Sequence, residues 1–63
     1  MEYKSINCTD ISLEEIQEII SKYQNVGWEY TGISSGFPGN MSWIHLVWSK
    51  DEPPIEPYKE PSN

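Results

Sequence analysis

One helix between about residues 12 and 27 is the most sharply bounded element that this sequence predicts. Ser12 and Glu15 form a capping box, and Ile11 and Ile16 occupy the positions of a hydrophobic staple. Gly27 is typical of the position just after a helix. The apolar residues that recur at helical spacing, and are therefore expected to face a core, are Leu13, Ile16, Ile19, Ile20 and Tyr23.

Three segments around this helix are predicted to be strands. Residues 2–8 alternate in part, and residues 28–33 are rich in aromatic and β-branched types. Residues 41–50 follow a loop that is too short for a crossover helix, so the last two strands should be antiparallel. The sequence thus predicts a small α+β domain over residues 1–50, with a three-stranded antiparallel sheet (β-α-β-β) and the helix on one face.

The composition changes after Asp51, because four prolines fall in the last part of the chain. Such a segment buries too little apolar surface to offset the entropy of ordering it. Residues 51–63 are therefore predicted to form an acidic, proline-rich, disordered tail. Residues 54–57, Pro-Ile-Glu-Pro, have the spacing of a polyproline recognition motif, which leaves open whether the tail is a ligand or only a solubilising segment.

A chain of 63 residues builds one small core, so further support is expected. The single cysteine, Cys8, cannot form an internal disulfide, and together with the single histidine, His45, it falls short of a zinc site. No metal or other cofactor is expected. Of the usual supports of small domains, association with another protein chain remains.

The charge and the apolar pattern limit the partners. Ten acidic residues against four lysines give a net charge of −6, which opposes nucleic-acid phosphates, so no direct nucleic-acid binding is expected. No segment approaches the ~20 apolar residues of a membrane span, and the N-terminus lacks the pattern of a signal peptide. A cytoplasmic protein that does not bind membranes is therefore expected.

Two short motifs carry a resemblance to a known family. Tyr3-Lys4 lies in the first predicted strand, and Gly27-Trp28-Glu29-Tyr30 directly follows the helix. This arrangement resembles a family of short bacterial and phage domains of unknown function, in which a Gly-Trp-Glu sequence opens a hairpin. The resemblance covers about residues 2–50, and it implies a β-α-β-β fold without implying an activity. The acidic tail and the helix cap depart from the family pattern.

The last strand is apolar on both faces, because neighbouring side chains in a strand point to opposite sides. The face expected in the core carries Ile44, Leu46 and Trp48. The opposite face carries Met41, Trp43, His45 and Val47. Since one helix covers only one face of a sheet, the second set is predicted to form a protein interface, led by Trp43 and Met41.

Two segments of the same chain offer another cover for the second face. Phe37 lies in the predicted hairpin loop, and Tyr58 lies in the tail. Either aromatic ring, folded back over the sheet, would make an external partner unnecessary.

Catalysis is not expected from this sequence. Ser34, Ser35 and Ser42 show no spacing typical of an activated nucleophile, and so small a domain has little interior for a cleft. The sequence favours a non-catalytic protein-binding module, self-associating as a homodimer or joined to a different chain. It would modulate or inhibit a larger protein, which would be a host protein if the chain is the product of a phage or mobile element.

The alternative is an acidic DNA mimic that inhibits a nucleic-acid-binding enzyme. Carboxylates on the exposed helix side would then occupy a phosphate-binding surface, and such binding depends steeply on salt. The candidate residues for this acidic helix face are Asp10, Glu14, Glu15 and Glu18.

Overall fold

Four elements make up the fold in the computed structural model, which describes residues 1–36 and 39–57. They are β1 (Glu2–Asn7), α1 (Leu13–Val26), β2 (Glu29–Gly36) and β3 (Met41–Trp48). β3 lies between β1 and β2 and is antiparallel to both. The predicted fold class, a three-stranded antiparallel sheet in the order β-α-β-β with one helix, is confirmed. Within the described ranges, no helix has the length and apolar character needed to cross a membrane.

The helix begins where the capping sequence predicts. The Ser12 hydroxyl oxygen accepts a hydrogen bond from the Glu15 backbone N–H at 3.2 Å, and the hydroxyl lies 3.4 Å from the Glu15 carboxylate. Glu14 and Glu15 stand in the first turn, where negative charge favours the positive end of the helix dipole. The N-terminus of α1 is thus held by local interactions.

The helix ends in a Schellman motif. The Gly27 N–H donates to the Gln24 carbonyl at 3.1 Å, and the Trp28 N–H donates to the Tyr23 carbonyl at 3.0 Å. Gly27 has a φ of 121°, a backbone conformation that residues with a Cβ rarely adopt. The Tyr23 and Trp28 rings meet edge to face with centroids 6.0 Å apart, which is the hydrophobic contact that accompanies this motif.

The core lies between α1 and one face of the sheet. The prediction that Ile44, Leu46 and Trp48 occupy this face is confirmed, since each is 1% exposed or less. The prediction that Leu13 faces the core is wrong, because Leu13 is 71% exposed. Helical side chains lean toward the N-terminus, so a residue in the first position extends past the packed part of the helix. Among the described residues, Cys8, Tyr23 and Trp28 are also buried.

A β-bulge in β2 decides which side chains of this strand face the helix. The register against β3 shifts at Thr31, and Gly32 follows with a φ of 151°. Simple alternation from residue 28 would turn Ile33 away from the core. The bulge adds one residue to this edge strand and reverses the alternation, so that Ile33 lies opposite Ile44 on the helix side.

The first part of the proline-rich segment contacts the domain, which differs from the expectation of a tail free of it. The indole N–H of Trp28 donates to the Ile55 carbonyl at 2.7 Å, and that of Trp48 donates to the Glu52 carbonyl at 2.8 Å. A buried indole needs a hydrogen-bond acceptor, and the backbone of this segment supplies two. Residues 51–57 therefore extend the cover of the helix side of the sheet. Residues 58–63 lie outside the described part of the chain.

Replacing Gly27 with alanine should destabilise the fold more than the backbone conformation alone accounts for. A Cβ at residue 27 would lie 2.7 Å from Lys50 Nζ and 2.9 Å from Cζ3 of the buried Trp48 ring. A matched control is Gly39→Ala, since Gly39 also has a positive φ of 74° but open space around its Cβ. We expect the control to lose about 1–2 kcal/mol and Gly27→Ala to lose more, as measured by urea unfolding. Equal losses would contradict the tight packing against Trp48.

Candidate protein interface

The surface of the sheet opposite the helix, which we call the open face, is set by the strand register. Residues directly opposite each other in neighbouring strands point to the same side. The predicted interface residues of β3 all lie on this face: Met41, Trp43, His45 and Val47. The open-face positions of the edge strands are Tyr3, Ser5 and Asn7 in β1 and Glu29, Gly32, Ser34 and Gly36 in β2.

The open face has a ridge beside a shallow row. The ridge is the line of large β3 side chains, which are half-buried by their neighbours. The shallow row is formed by Gly32, Ser34 and Gly36 of β2, where a Cβ added to either glycine would meet no atom within 4 Å. Bulky side chains and an open strip of backbone thus run side by side along the sheet.

His45 joins all three strands through hydrogen bonds on the open face. Its Nδ1 lies 3.0 Å from Ser5 Oγ on β1, and its Nε2 lies 2.7 Å from Ser34 Oγ on β2. In a neutral imidazole one nitrogen donates and the other accepts, and serine hydroxyls suit either role. The Thr31 hydroxyl also donates to the His45 carbonyl at 3.0 Å. The centre of the open face is therefore a polar row whose members satisfy one another.

The contact between Ser34 and His45 could not be found from the sequence alone. It depends on the bulge at Thr31, which turns Ser34 to the open face, whereas Ser35 and Ser42 pair with each other across the strands. A serine hydroxyl beside an imidazole is the first part of a nucleophile and base pair. The second ring nitrogen meets the Ser5 hydroxyl, which orients the ring but offers no carboxylate to stabilise an imidazolium.

Charge is nearly absent from the open face, although the chain has ten acidic residues and four lysines. Among the open-face positions of the described strands, Glu29 is the one carboxylate. Its Oε2 accepts a hydrogen bond from the Ser49 hydroxyl at 2.6 Å, at the end of the sheet. Depletion of charged residues distinguishes the centres of protein interfaces from other surface.

The acidic helix face lies elsewhere on the domain. Asp10, Glu14, Glu15 and Glu18 are all exposed, in α1 and the turn before it. Because α1 packs on the opposite side of the sheet, these carboxylates and the open face are not brought together. The structure thus presents two separate surfaces, one acidic and one almost uncharged.

Cavities, metal-ligand clusters and accessible thiols are other kinds of site that a small domain can carry. Across residues 1–36 and 39–57, no cavity is found, and no three residues of the types His, Cys, Asp and Glu cluster as metal ligands would. The Cys8 side chain is packed in the core at 2% exposure. The two aromatic residues that offered an internal cover for the open face, Phe37 and Tyr58, lie outside the described residues.

Comparisons with protein-family models, with curated proteins and with solved structures find no match to this chain. The resemblance to the family of short bacterial and phage domains therefore stays a prediction.

The polar row should contribute little to the stability of the fold. In the dilute monomer of the double variant Ser5→Ala with Ser34→Ala, water can replace both hydroxyls because the row is exposed, so we expect a loss within about 1 kcal/mol. A contrasting variant is Thr9→Ala, since Thr9 Oγ1 accepts from the half-buried Ser42 N–H at 2.9 Å. Its loss should be larger, about 1–3 kcal/mol, in the same urea-unfolding measurement. A double variant that costs more than Thr9→Ala would show that the row is structural.

Proposed function

We propose that this chain is a non-catalytic protein-binding module that self-associates through the open face and modulates or inhibits a larger protein. The observation that carries the proposal is the absence of charge from the open-face positions of the described strands, apart from Glu29. A chain with a net charge of −6 has many carboxylates available for a surface that stays in water. Here an entire sheet face presents aromatic, aliphatic and small polar groups instead.

The relief of the open face supports pairing with a second copy. In a two-fold dimer each surface meets itself, so a ridge has to find a matching depression on the same surface. The β3 ridge, including Trp43 and Val47, runs directly beside the shallow row of Gly32, Ser34 and Gly36. Two such faces, stacked with the ridge of one over the row of the other, would be self-complementary at the ~10 Å spacing of packed sheets.

The polar row is compatible with burial in such an interface. A buried polar group costs free energy unless its hydrogen bonds are made. Ser5, His45 and Ser34 already bond to one another, so a partner does not have to replace water at the imidazole. Burying the face would also enlarge the small core, which compensates for the limited interior of a 63-residue chain.

Substituting Trp43 with aspartate should abolish self-association while the helix content stays unchanged. A tryptophan at the centre of an interface typically accounts for 2 kcal/mol or more, so the dissociation constant should rise at least about 30-fold. The measurement is the solution mass by light scattering over a range of protein concentrations, with circular dichroism as the test of folding.

The matched control is Leu13→Asp. Leu13 is an exposed apolar residue on α1, so this variant adds the same charge to the other side of the domain. We expect it to associate like the wild type. A wild-type chain that stays monomeric at millimolar concentration, or two variants weakened equally, would overturn self-association through the open face. A different outcome is that the chain binds a protein partner with an affinity that falls steeply with salt and does not change in Trp43→Asp. In that case the acidic helix face would be the binding surface.

A further inference from the structure

The helix side of the sheet carries a second group of aromatic side chains, which together with one lysine we call the tryptophan platform: Tyr23, Trp28, Trp48 and Lys4. With residues 51–57 in place, the three aromatic side chains are buried, at 6%, 4% and 1% exposure. The Trp28 and Trp48 rings are tilted against each other with centroids 5.5 Å apart. The Lys4 ammonium lies 5.6 Å from the Trp28 ring centre and 5.9 Å from that of Tyr23, within the range of cation–π attraction. The Lys50 ammonium also lies 5.2 Å from the Trp48 ring centre. The platform therefore combines aromatic rings and indole N–H donors with two positive charges beside them.

The proline-rich segment lies on this platform with a repeat of three residues. The carbonyls that accept from the two indoles belong to Glu52 and Ile55. Among residues 51–57, Pro54 and Pro57 are the half-buried ones, and they are also three apart. A polyproline II helix has three residues per turn, so positions at this spacing share one side. Both the carbonyls and the prolines thus repeat as that helix would require.

The sequence of residues 52–57 lowers the conformational entropy that is lost when this segment is held in place. Proline fixes its own φ and restricts the residue before it to extended conformations. Pro53, Pro54 and Pro57 therefore restrict every residue of 52–57 except Ile55. The entropy lost on binding is smaller than for an ordinary tail, which explains how a short polar segment can dock on the domain.

One ion pair adds a preference for acidic peptides. The Lys4 ammonium lies 3.0 Å from the Glu56 carboxylate, with 30% and 47% of the two side chains exposed. A pair this exposed contributes little to stability, but it distinguishes a negative from a positive residue at that position. The platform can thus select both for proline spacing and for charge.

We propose that the tryptophan platform is a recognition site for acidic proline-rich peptides. Residues 52–57 occupy it in cis, and a segment of the same chemistry from a partner protein binds it in trans when the tail is displaced. Paired indole N–H donors on an aromatic surface suit the free carbonyls and ring faces of a polyproline segment. This site lies across the sheet from the open face, so either proposal can fail without the other.

The covalent connection between the tail and the domain sets the affinity that such a site needs. A short flexible connection gives an effective concentration on the order of 1 mM. The segment stays docked in cis only if its intrinsic dissociation constant lies below that value. A free peptide of the same sequence should therefore bind an emptied platform within the same concentration range.

The test uses a full-length variant in which the tail is weakened by Pro54→Gly, Glu56→Lys and Pro57→Gly. The probe is a synthetic peptide with the sequence of residues 51–57, followed through the indole N–H resonances of the three tryptophans. We expect the Trp28 and Trp48 signals to shift when the tail opens and to return with the peptide. At constant protein concentration, Trp43 on the open face should not move and serves as the internal control.

Charge reversal makes the test specific. A peptide carrying Glu56→Lys should bind about three- to tenfold more weakly, and adding Lys4→Glu to the protein should reverse this preference. If the triple variant fails to fold, Glu56→Lys alone is used, since it still weakens docking. The proposal is overturned if the Trp28 and Trp48 signals do not respond to opening the tail. It is equally overturned if the peptide does not saturate the platform near 1 mM, or if the peptide and its Glu56→Lys variant bind with equal affinity.

Discussion

One helix has to cover a sheet of three strands, and this constraint determines the rest of the structure. The 14 residues of α1 span about 21 Å and provide a single apolar side. They can close one face of the sheet along most of its length. The central strand β3 nevertheless carries large apolar side chains on both faces, so the domain has more apolar surface than its helix can cover.

The two uncovered regions differ in chemistry, and so do their covers. At the end of the helix side, Trp28 and Trp48 have indole N–H groups that need acceptors, and the proline-rich segment supplies backbone carbonyls. On the open face, His45 and two serines satisfy one another, which leaves mainly apolar and small side chains. A peptide backbone therefore suits the first region, whereas a weakly polar protein surface suits the second.

Local sequence signals were sufficient for the helix and for the faces of the central strand. Ser12 and Gly27 mark the ends of α1 because capping depends on residues within one turn of each end. Ile44, Leu46 and Trp48 could be assigned to the core because period-2 alternation continues without interruption through β3. The positions of the predicted interface residues follow from the same alternation.

The features that the sequence did not predict depend on contacts between distant residues. The bulge at Thr31 reverses the faces of β2, and no local pattern marks where the extra residue enters. The hydrogen bond between Ser34 and His45 follows from that shift. The docking of residues 52–57 was not predicted. Composition indicates the entropy lost when a segment is ordered, but it does not show that two indole N–H groups lie where they can bind this segment. The position of β3 between β1 and β2 is also a property of the assembled sheet.

Hydrogen exchange at the three indole N–H groups, measured at several protein concentrations, tests the central claim that the two faces are closed by different partners. We expect Trp28 and Trp48 to be protected at every concentration, because their acceptors belong to the same chain. Trp43 should exchange freely in dilute solution and become protected as the concentration rises. Protection of Trp43 in dilute solution, or rapid exchange at Trp28 and Trp48, would contradict this division of the two faces.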